Sequence, residues 1–370
     1  MLPMSIRQFF SALLMFFFLS CNKKQEATKM PTEAQQKQTR ELLINQPSSV
    51  TTPEGMTWVK GKKFLMGAKE NDPYALTREK PAHEVLVDGF FIDLKEVTNE
   101  KFKAFVAATG YVTVAERPID WEEMKKQLPA GTPKPHDSIL QPGCMIFNKN
   151  VNQIDSMDNY QQWWSWKVGV NWKHPQGKES TIEGKENYPV VHIAYEDALA
   201  YCTWANRRLP TEAEWEAAAQ GTYDNAIFTW GDDLAELNAN ANTWQGKFPV
   251  ENEPKDGFSY VAPVGSFPPN SIGLYDMLGN VWEWTSDWFN VNYYANLRPY
   301  TVSLNPSGAE TPYNPNNPYQ QERIIKGGSY LCHDSYCASF RISSRMAMAL
   351  DSGADHVGFR TVATVDMLQP

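Results

Sequence analysis

Residues that bind zinc or form disulfide scaffolds are scarce in this sequence. The 370 residues include five cysteines and six histidines. No Cys-x-x-Cys or His-x₃-His pair is present to build a four-ligand zinc site. A body of about 300 residues buries roughly three-quarters of its unfolded surface and needs no disulfide framework. The scarcity therefore argues against a zinc protein and against a small disulfide-stabilised domain.

A net positive charge and long hydrophobic runs are also lacking. The net charge is -9, which argues against a nucleic-acid partner, because such a partner requires a basic surface. The apolar run at residues 9–19 is too short to span a bilayer comfortably. The sequence is instead rich in aromatic residues, among them 13 tryptophans. Such rings favour a loop-rich fold packed by aromatic side chains.

The N-terminal segment has the pattern of an export signal. Arg7 precedes the apolar run, and a small residue, Ser20, comes directly before Cys21. This arrangement resembles a bacterial lipobox and predicts a lipid anchor on Cys21, without a membrane span. The alternative is plain secretion with an incidental cysteine. We expect a bacterial cell-envelope lipoprotein, facing the periplasm or carried on the outer membrane.

The remaining chain divides into a tether and one folded domain. Residues 1–21 are the predicted lipoprotein signal peptide, and residues 22–49 are polar enough to predict a flexible tether. We place the folded domain at residues 50–366. No internal repeat is visible in it.

Helix and strand signals within the domain predict an α+β fold with much irregular structure. Residues 60–62 separate two apolar runs in the manner of a hairpin. A first helix is predicted from the cap Thr98 to the stop Gly110. A second helix carries Cys202 on its apolar face, and a third begins at Thr211 with a capping box to Glu214. Cys202 is expected to be an inert core thiol.

Residues 112–180 have little periodicity but contain several tryptophans, including Trp163 and Trp164. A long aperiodic segment inside a compact domain is often functional. We therefore expect this segment to form a functional surface or a lid.

Two of the five cysteines lie close together, in the run GGSYLCHDSYC at residues 327–337. Side chains five residues apart do not share a face of a helix or of a strand. If the sulfur atoms of Cys332 and Cys337 meet, the segment between them must be bent. Three interpretations remain at this point. They are a local disulfide, an improbable zinc site, and a two-thiolate site for a soft metal such as copper(I).

Three further motifs carry a family resemblance. They are RLPTEAEWE at 208–216, GLYDMLGNVWEW at 273–284 and GFR at 358–360. With them the sequence resembles the sulfatase-modifying-factor family, the formylglycine-generating enzymes and their relatives. The resemblance implies a single irregular, loop-rich α+β domain of C-type-lectin-like fold, with few helices and short antiparallel strands.

The run at 327–337 resembles the active-site segment of true formylglycine-generating enzymes. The resemblance implies an enzyme that uses copper(I) and O₂ to convert a cysteine to Cα-formylglycine. The substrate would be an unfolded sulfatase segment of the form Cys-x-Pro-x-Arg. Cys332 and Cys337 would be the catalytic thiols and copper ligands, and Ser329 and His333 would belong to the adjoining pocket where oxygen is handled.

The resemblance also implies two structural calcium sites. Their oxygen ligands mix carboxylate, amide and backbone carbonyl groups, the set that Ca²⁺ prefers. One site maps to Asn242, Thr243, Asp256 and Phe258, and the other to Asp276, Gly279, Val281 and Glu283.

Two other functions remain open at this stage. One is a non-catalytic structural lipoprotein of a gliding-motility or secretion apparatus, because such machines use the same fold. The other is a carbohydrate- or protein-binding module, favoured only by the abundance of aromatic residues. Retention of both thiols favours the enzyme.

Overall fold

The computed structural model describes residues 41–138, 140–297 and 302–369. The predicted signal peptide, Cys21 and most of the predicted tether lie outside these residues. Within the described part of the chain, no helix is long and apolar enough to cross a membrane. Residues 43 and 44 already contact the folded body, because Gly89 N–H donates to Leu43 O at 2.6 Å and Gly61 N–H to Ile44 O at 3.0 Å.

The described chain forms short strands and short helices joined by long irregular segments. The strands are β1 Met56–Val59, β2 Lys62–Met66, β3 His83–Val87, β4 Phe90–Asp93, β5 Gly143–Phe147, β6 Trp164–Val168, β7 Gly246–Lys247, β8 Glu251–Asn252, β9 Trp282–Trp288, β10 Ser303–Leu304, β11 Glu322–Lys326, β12 Met346–Ala349, β13 Val357–Gly358 and β14 Val362–Ala363. The helices are α1 Asn99–Thr109, α2 Trp121–Met124, α3 Tyr195–Trp204, α4 Glu212–Gln220, α5 Leu237–Asn240, α6 Tyr293–Asn296 and α7 Val365–Leu368. Five 3₁₀ turns add Thr77–Glu79, Val114–Glu116, Lys125–Gln127, Tyr160–Gln162 and Leu234–Glu236.

These strands form several small sheets. Two sheets have three strands, in the orders β1-β4-β14 and β10-β3-β2. A four-stranded sheet has the order β12-β11-β9-β13, and β5-β6 and β7-β8 form two-stranded ribbons. Most pairs are antiparallel, whereas β10 with β3 and β13 with β9 are parallel. The predicted α+β, loop-rich single domain is confirmed.

The hairpin expected at residues 60–62 is wrong. Strand β1 pairs with β4, and β2 pairs with β3 in a different sheet. At Gly61 the backbone passes so close to residue 43 that an added Cβ would lie 2.1 Å from Leu43 O. The glycine therefore permits a backbone crossing, not a turn between paired strands.

The three predicted helices form, and the first and third begin at the capping residues that the sequence indicated. Thr98 caps α1 by accepting from Lys101 N–H, and Gly110 ends it in the left-handed conformation. The Thr211 side chain accepts from Glu214 N–H at the start of α4, and the reciprocal capping box is present. Cys202 lies buried on α3, as the apolar face predicted.

The aperiodic segment contains structure that its sequence did not indicate. Strands β5 and β6 pair antiparallel, from Gly143 with Val168 to Phe147 with Trp164. Trp163, directly before β6, is fully buried. The ribbon thus carries the paired tryptophans inward.

The four-stranded sheet positions the candidate site. Lys326 at the end of β11 pairs with Glu283 of β9, and Val357 at the start of β13 pairs with Trp282. The loop after β11 and the residues before β13 therefore meet at the same end of β9.

Candidate functional site

The two thiols meet in the loop that follows β11. Their Sγ atoms are 3.0 Å apart, well beyond a disulfide bond of about 2.05 Å, and both cysteines are free thiols in this structure. The loop is bent as predicted, because Cys337 N–H donates to His333 O at 2.7 Å. Gly328 has a φ of 75°, and an added Cβ would lie 2.9 Å from Phe340 N. A glycine is needed there to admit the returning chain.

The two sulfur atoms have different environments. Cys332 is buried and Cys337 is partly exposed. Burial, together with the contact to Cys337, raises the pKa of Cys332. The hydrogen bond from Cys332, followed by those from Ser339, lowers the pKa of Cys337. The two sulfur atoms therefore share a hydrogen bond but differ in the ease with which they ionise.

Ser329 lies against Cys332, as the sequence motif predicted. Its backbone N–H donates to Cys332 Sγ at 3.4 Å, and Leu331 N–H donates to Ser329 Oγ at 3.2 Å. Ser329 Oγ is also 3.0 Å from His356 Nδ1. The sequence analysis missed His356, whose one available signal was its position two residues before the GFR motif.

His333 occupies a different position from the other three predicted residues. Its backbone oxygen holds the loop, but its Nδ1 hydrogen-bonds Ser335 Oγ at 2.8 Å. The side chain lines a cavity of about 200 Å³ together with Trp244, Lys255 and Phe340. Its role in handling oxygen remains a prediction.

Aromatic rings surround the exposed side of the thiol pair. Tyr336, next to Cys337, stacks on Phe248 at 4.5 Å and meets the edge of Trp163 at 5.8 Å. Trp164 packs against the ring of His356 at 4.9 Å. The paired tryptophans thus contribute to the site, and such a wall limits the access of water to the sulfur atoms.

The first predicted calcium set is partly organised by its own hydrogen bonds. The Asp256 carboxylate accepts from Thr243 N–H at 3.1 Å and Phe258 N–H at 2.9 Å. Asn242 donates through Nδ2 to Tyr260 O and to Asn280. Its Oδ1 is buried and has no hydrogen-bond partner. A buried, unpaired amide oxygen fits the donor set that Ca²⁺ prefers.

The second set contains an ion pair that the sequence did not reveal. Both Glu283 carboxylate oxygens accept from Arg360, each at 2.7 Å, and Trp215 Nε1 donates to one of them at 2.8 Å. Asp276 lies near Glu96, whose pKa is raised well above its usual range by burial and then by Asp276. Glu96 Oε2 is buried and has no partner. Arg360 thus balances Glu283, while burial raises the pKa of both Glu96 and Asp276, so calcium at this set stays a prediction.

Metal clusters built from side chains alone are absent from the described residues. No group of three or more His, Cys, Asp or Glu side chains is placed to hold a metal ion there. Each predicted set contains no more than two such side chains, so this finding does not bear on the copper or calcium predictions.

Comparison with known proteins identifies close relatives. The model of the sulfatase-modifying factor enzyme 1-like domain matches residues 42–365. The formylglycine-generating enzyme of Mus musculus is 42% identical over 287 residues, covering 77% of this chain and 68% of that protein. The enzyme of the same name from Mycobacterium tuberculosis is 41% identical over 304 residues, covering 82% of this chain and 95% of that protein.

Two further comparisons qualify the likeness. The inactive Cα-formylglycine-generating enzyme 2 of Mus musculus is 34% identical over 312 residues, covering 84% of this chain and 85% of that protein. The solved structure of PvdO from Pseudomonas aeruginosa is similar in fold, with a TM-score of 0.56 and 21% identity, over 87% of this chain and 100% of that one. Relatives named as active and as inactive thus share this fold.

Proposed function

This chain belongs to the sulfatase-modifying factor family, and from that premise we propose that it is a formylglycine-generating oxidase that activates sulfatases. The substrate is a cysteine in a Cys-x-Pro-x-Arg segment of an unfolded sulfatase. The observation that carries the proposal is the pair of free thiols, 3.0 Å apart, beside Ser329.

The net reaction oxidises a thiol carbon to an aldehyde. The substrate R–CH₂–SH, O₂, two electrons and two protons give R–CHO, H₂S and H₂O. The carbon supplies two of the four electrons that reduce O₂, and an external thiol reductant supplies the other two. The carbon–sulfur bond breaks, and the sulfur leaves as H₂S.

Cys332 and Cys337 are the residues that would hold copper(I), because two thiolates are soft ligands that select a soft metal. Bound there, copper(I) would supply the reactivity with O₂ that amino-acid side chains lack. Cys332 is fixed by backbone hydrogen bonds to Ser329, whereas Cys337 is partly exposed and faces the incoming polypeptide. The rings of Trp163, Phe248 and Tyr336 hold that side of the loop and exclude water.

Structural calcium is a second part of the proposal. The unpaired Asn242 Oδ1 supports it at the first site, and the unpaired Glu96 Oε2 near Asp276 supports it at the second. The proposal further places the protein in the bacterial cell envelope, anchored by lipid on Cys21.

The test is an assay of the purified chain. It is incubated with copper(I), a thiol reductant and O₂, together with a peptide containing Cys-x-Pro-x-Arg, and the aldehyde is captured and identified by mass spectrometry. A peptide with serine in place of the cysteine is the matched control. We expect conversion only of the cysteine peptide.

The competing function is a non-catalytic part of a gliding-motility or secretion apparatus. This chain is similar to a relative that is named as inactive, and that similarity is the observation that favours a non-catalytic role. Absence of aldehyde from protein with demonstrably bound copper would replace the enzyme with this structural role.

A further inference from the structure

Ser329 is hydrogen-bonded to His356 through its hydroxyl and to the sulfur of Cys332 through its backbone N–H. His356 Nδ1 is 3.0 Å from Ser329 Oγ, and Ser329 N–H is 3.4 Å from Cys332 Sγ. Cys332 N–H returns a bond to Ser329 O at 2.9 Å. Ser329 is thus bonded on one side to the imidazole and on the other to the cysteine.

The imidazole is itself held firmly. The backbone oxygen of His356 accepts from Trp282 N–H at 2.8 Å, and Trp164 packs against the imidazole ring. Burial, followed by the nearby His192, lowers the pKa of His356 to about 3. The ring is therefore neutral, with one nitrogen that accepts and one that donates.

The Ser329 hydroxyl needs this partner. Ser329 is fully buried, and Leu331 N–H already occupies one lone pair of its oxygen. A serine hydroxyl can rotate among three staggered positions. The Ser329 side chain also hydrogen-bonds Cys332. Without the imidazole the hydroxyl would lose one of its buried partners, and the loss of such a partner is costly.

We infer that His356 is a positioning residue for the proposed reaction: its Nδ1 fixes the Ser329 hydroxyl beside the sulfur of Cys332. The inference rests on the proposed function for its catalytic consequence, but the contact itself can be tested without activity. In the proposed reaction His356 acts through Ser329 and is not a copper ligand.

The first test is a kinetic double-mutant cycle. His356→Phe keeps a ring against Trp164 but removes the hydrogen bond to Ser329 Oγ, so kcat should fall about three- to tenfold while KM changes less than about twofold. His356→Asn restores a hydrogen-bonding side chain and should recover most of the loss. In a Ser329→Ala background, His356→Phe should cause no further loss, because the group on which it acts is absent.

A full additional loss in the Ser329→Ala background would overturn the inference, since His356 would then act independently of Ser329. The same conclusion follows if His356→Asn is as impaired as His356→Phe. Melting temperatures of all variants identify any variant that fails to fold.

The second test uses the reduced, metal-free protein with ¹⁵N-labelled histidine. Long-range ¹H–¹⁵N spectra report which imidazole nitrogen carries the proton, and His356→Asn assigns the signal. We expect a neutral His356 ring from about pH 5 to 8, with an Nδ1 resonance that shifts in Ser329→Ala. Ser335→Ala is the matched control, because Ser335 contacts His333 instead.

An Nδ1 resonance unchanged by Ser329→Ala overturns the inference, whether or not the chain makes formylglycine. A shifted resonance in a chain that produces no aldehyde supports the contact and rejects only the proposed function. The two failures are therefore distinguishable.

Discussion

Cys332 and Cys337 differ in exposure although they share one loop. The buried sulfur of Cys332 is fixed by Ser329, whereas the residue Cys337 is partly exposed. The buried thiol can therefore serve as the fixed ligand, and the other can meet an incoming polypeptide. Neither position tolerates a hard oxygen in place of sulfur if copper(I) is bound.

Replacement of either thiol should remove catalysis and leave the fold intact. We expect Cys332→Ser and Cys337→Ser each to abolish aldehyde formation and tight copper(I) binding, because a serine oxygen is a poor ligand for a soft metal. Turnover and copper(I) competition titrations measure the two effects. Activity retained by either variant would exclude the two-thiolate mechanism.

Cys202→Ala is the matched control for those substitutions. Cys202 is buried on α3, away from the loop, and burial raises its pKa, so it remains an inert thiol. Activity should be unchanged, and the free energy of unfolding should fall by about 1–2 kcal/mol for a small core truncation.

Asp355, next to His356, should make stability dependent on pH. Burial raises the pKa of its carboxyl to about 6. Below about pH 4 the group is neutral in both the folded and unfolded states, so it costs nothing. As pH rises through 6 the folded protein must ionise a buried carboxyl, at a cost of up to about 3 kcal/mol.

Asp355→Asn removes that ionisation. Relative to the wild-type protein, the variant should gain stability between about pH 4 and 7 and then stay level, as measured by urea unfolding at several pH values. Asp158→Asn, at an exposed position, should show no such trend. A difference between variant and wild type that does not change with pH would contradict the assignment.

The contacts of the thiol loop were predictable because the partners are close in the chain. Ser329 bonds Cys332 three positions away, so the local motif was sufficient. His356 meets Ser329 only because β11 and β13 both flank β9, and Glu283 meets Arg360 for a similar reason. Such contacts depend on strand order, which composition and spacing do not encode.

Among the elements, α4 joins two parts of the core. Its Trp215 Nε1 donates to Glu283 on β9, and Glu216 pairs with Lys326 on β11 at 2.7 Å. The start of the helix therefore affects the alignment of the strands that carry the site.

Thr211→Ala should weaken α4 at its N-terminus. The threonine hydroxyl accepts from Glu214 N–H at 3.1 Å, and removing such a cap costs about 0.5–2 kcal/mol. Urea unfolding should show a lower midpoint with an unchanged slope. Thr203→Ala, at an exposed position on α3, is the control, and an equal loss there would argue against a specific cap contribution.

Helix ends were predictable for a physical reason that does not apply to strands. A cap is a bond between residues three apart, as in Thr98 with Lys101, and sequence displays both partners. Strands β1 and β2 are adjacent in sequence yet belong to different sheets. The apolar pattern of β5 was missed because its ladder partner, β6, follows a long irregular connection.

At the scale of the whole molecule, bound calcium should raise thermal stability. Chelation should lower Tm, and added Ca²⁺ should restore it. At a hundredfold excess over Kd, bound Ca²⁺ should add about 2.7 kcal/mol to the free energy of unfolding. Differential scanning calorimetry and elemental analysis measure both. If chelation leaves the melting curve unmoved and no calcium is found in the purified protein, both sites are excluded.

Asp256→Asn is the more diagnostic substitution for these sites. It removes a carboxylate charge but keeps an oxygen acceptor for Thr243 or Phe258, so the Ca²⁺ concentration needed to restore Tm should rise. Glu283→Gln should also shift this dependence, but it leaves Arg360 without its buried partner, which by itself costs about 3–5 kcal/mol.

The pairing of β14 with β4 has a consequence for biogenesis. Val362 lies opposite Ile92, so a chain emerging N-terminus first cannot complete that sheet until residue 363 has been delivered. The thiols at 332 and 337 emerge earlier, before the core can close around them. There is thus an interval in which both sulfurs are exposed together, when an oxidant could join them or a metal donor could load them. The reagent that reacts first in that interval determines whether the folded protein carries a disulfide or a bound metal.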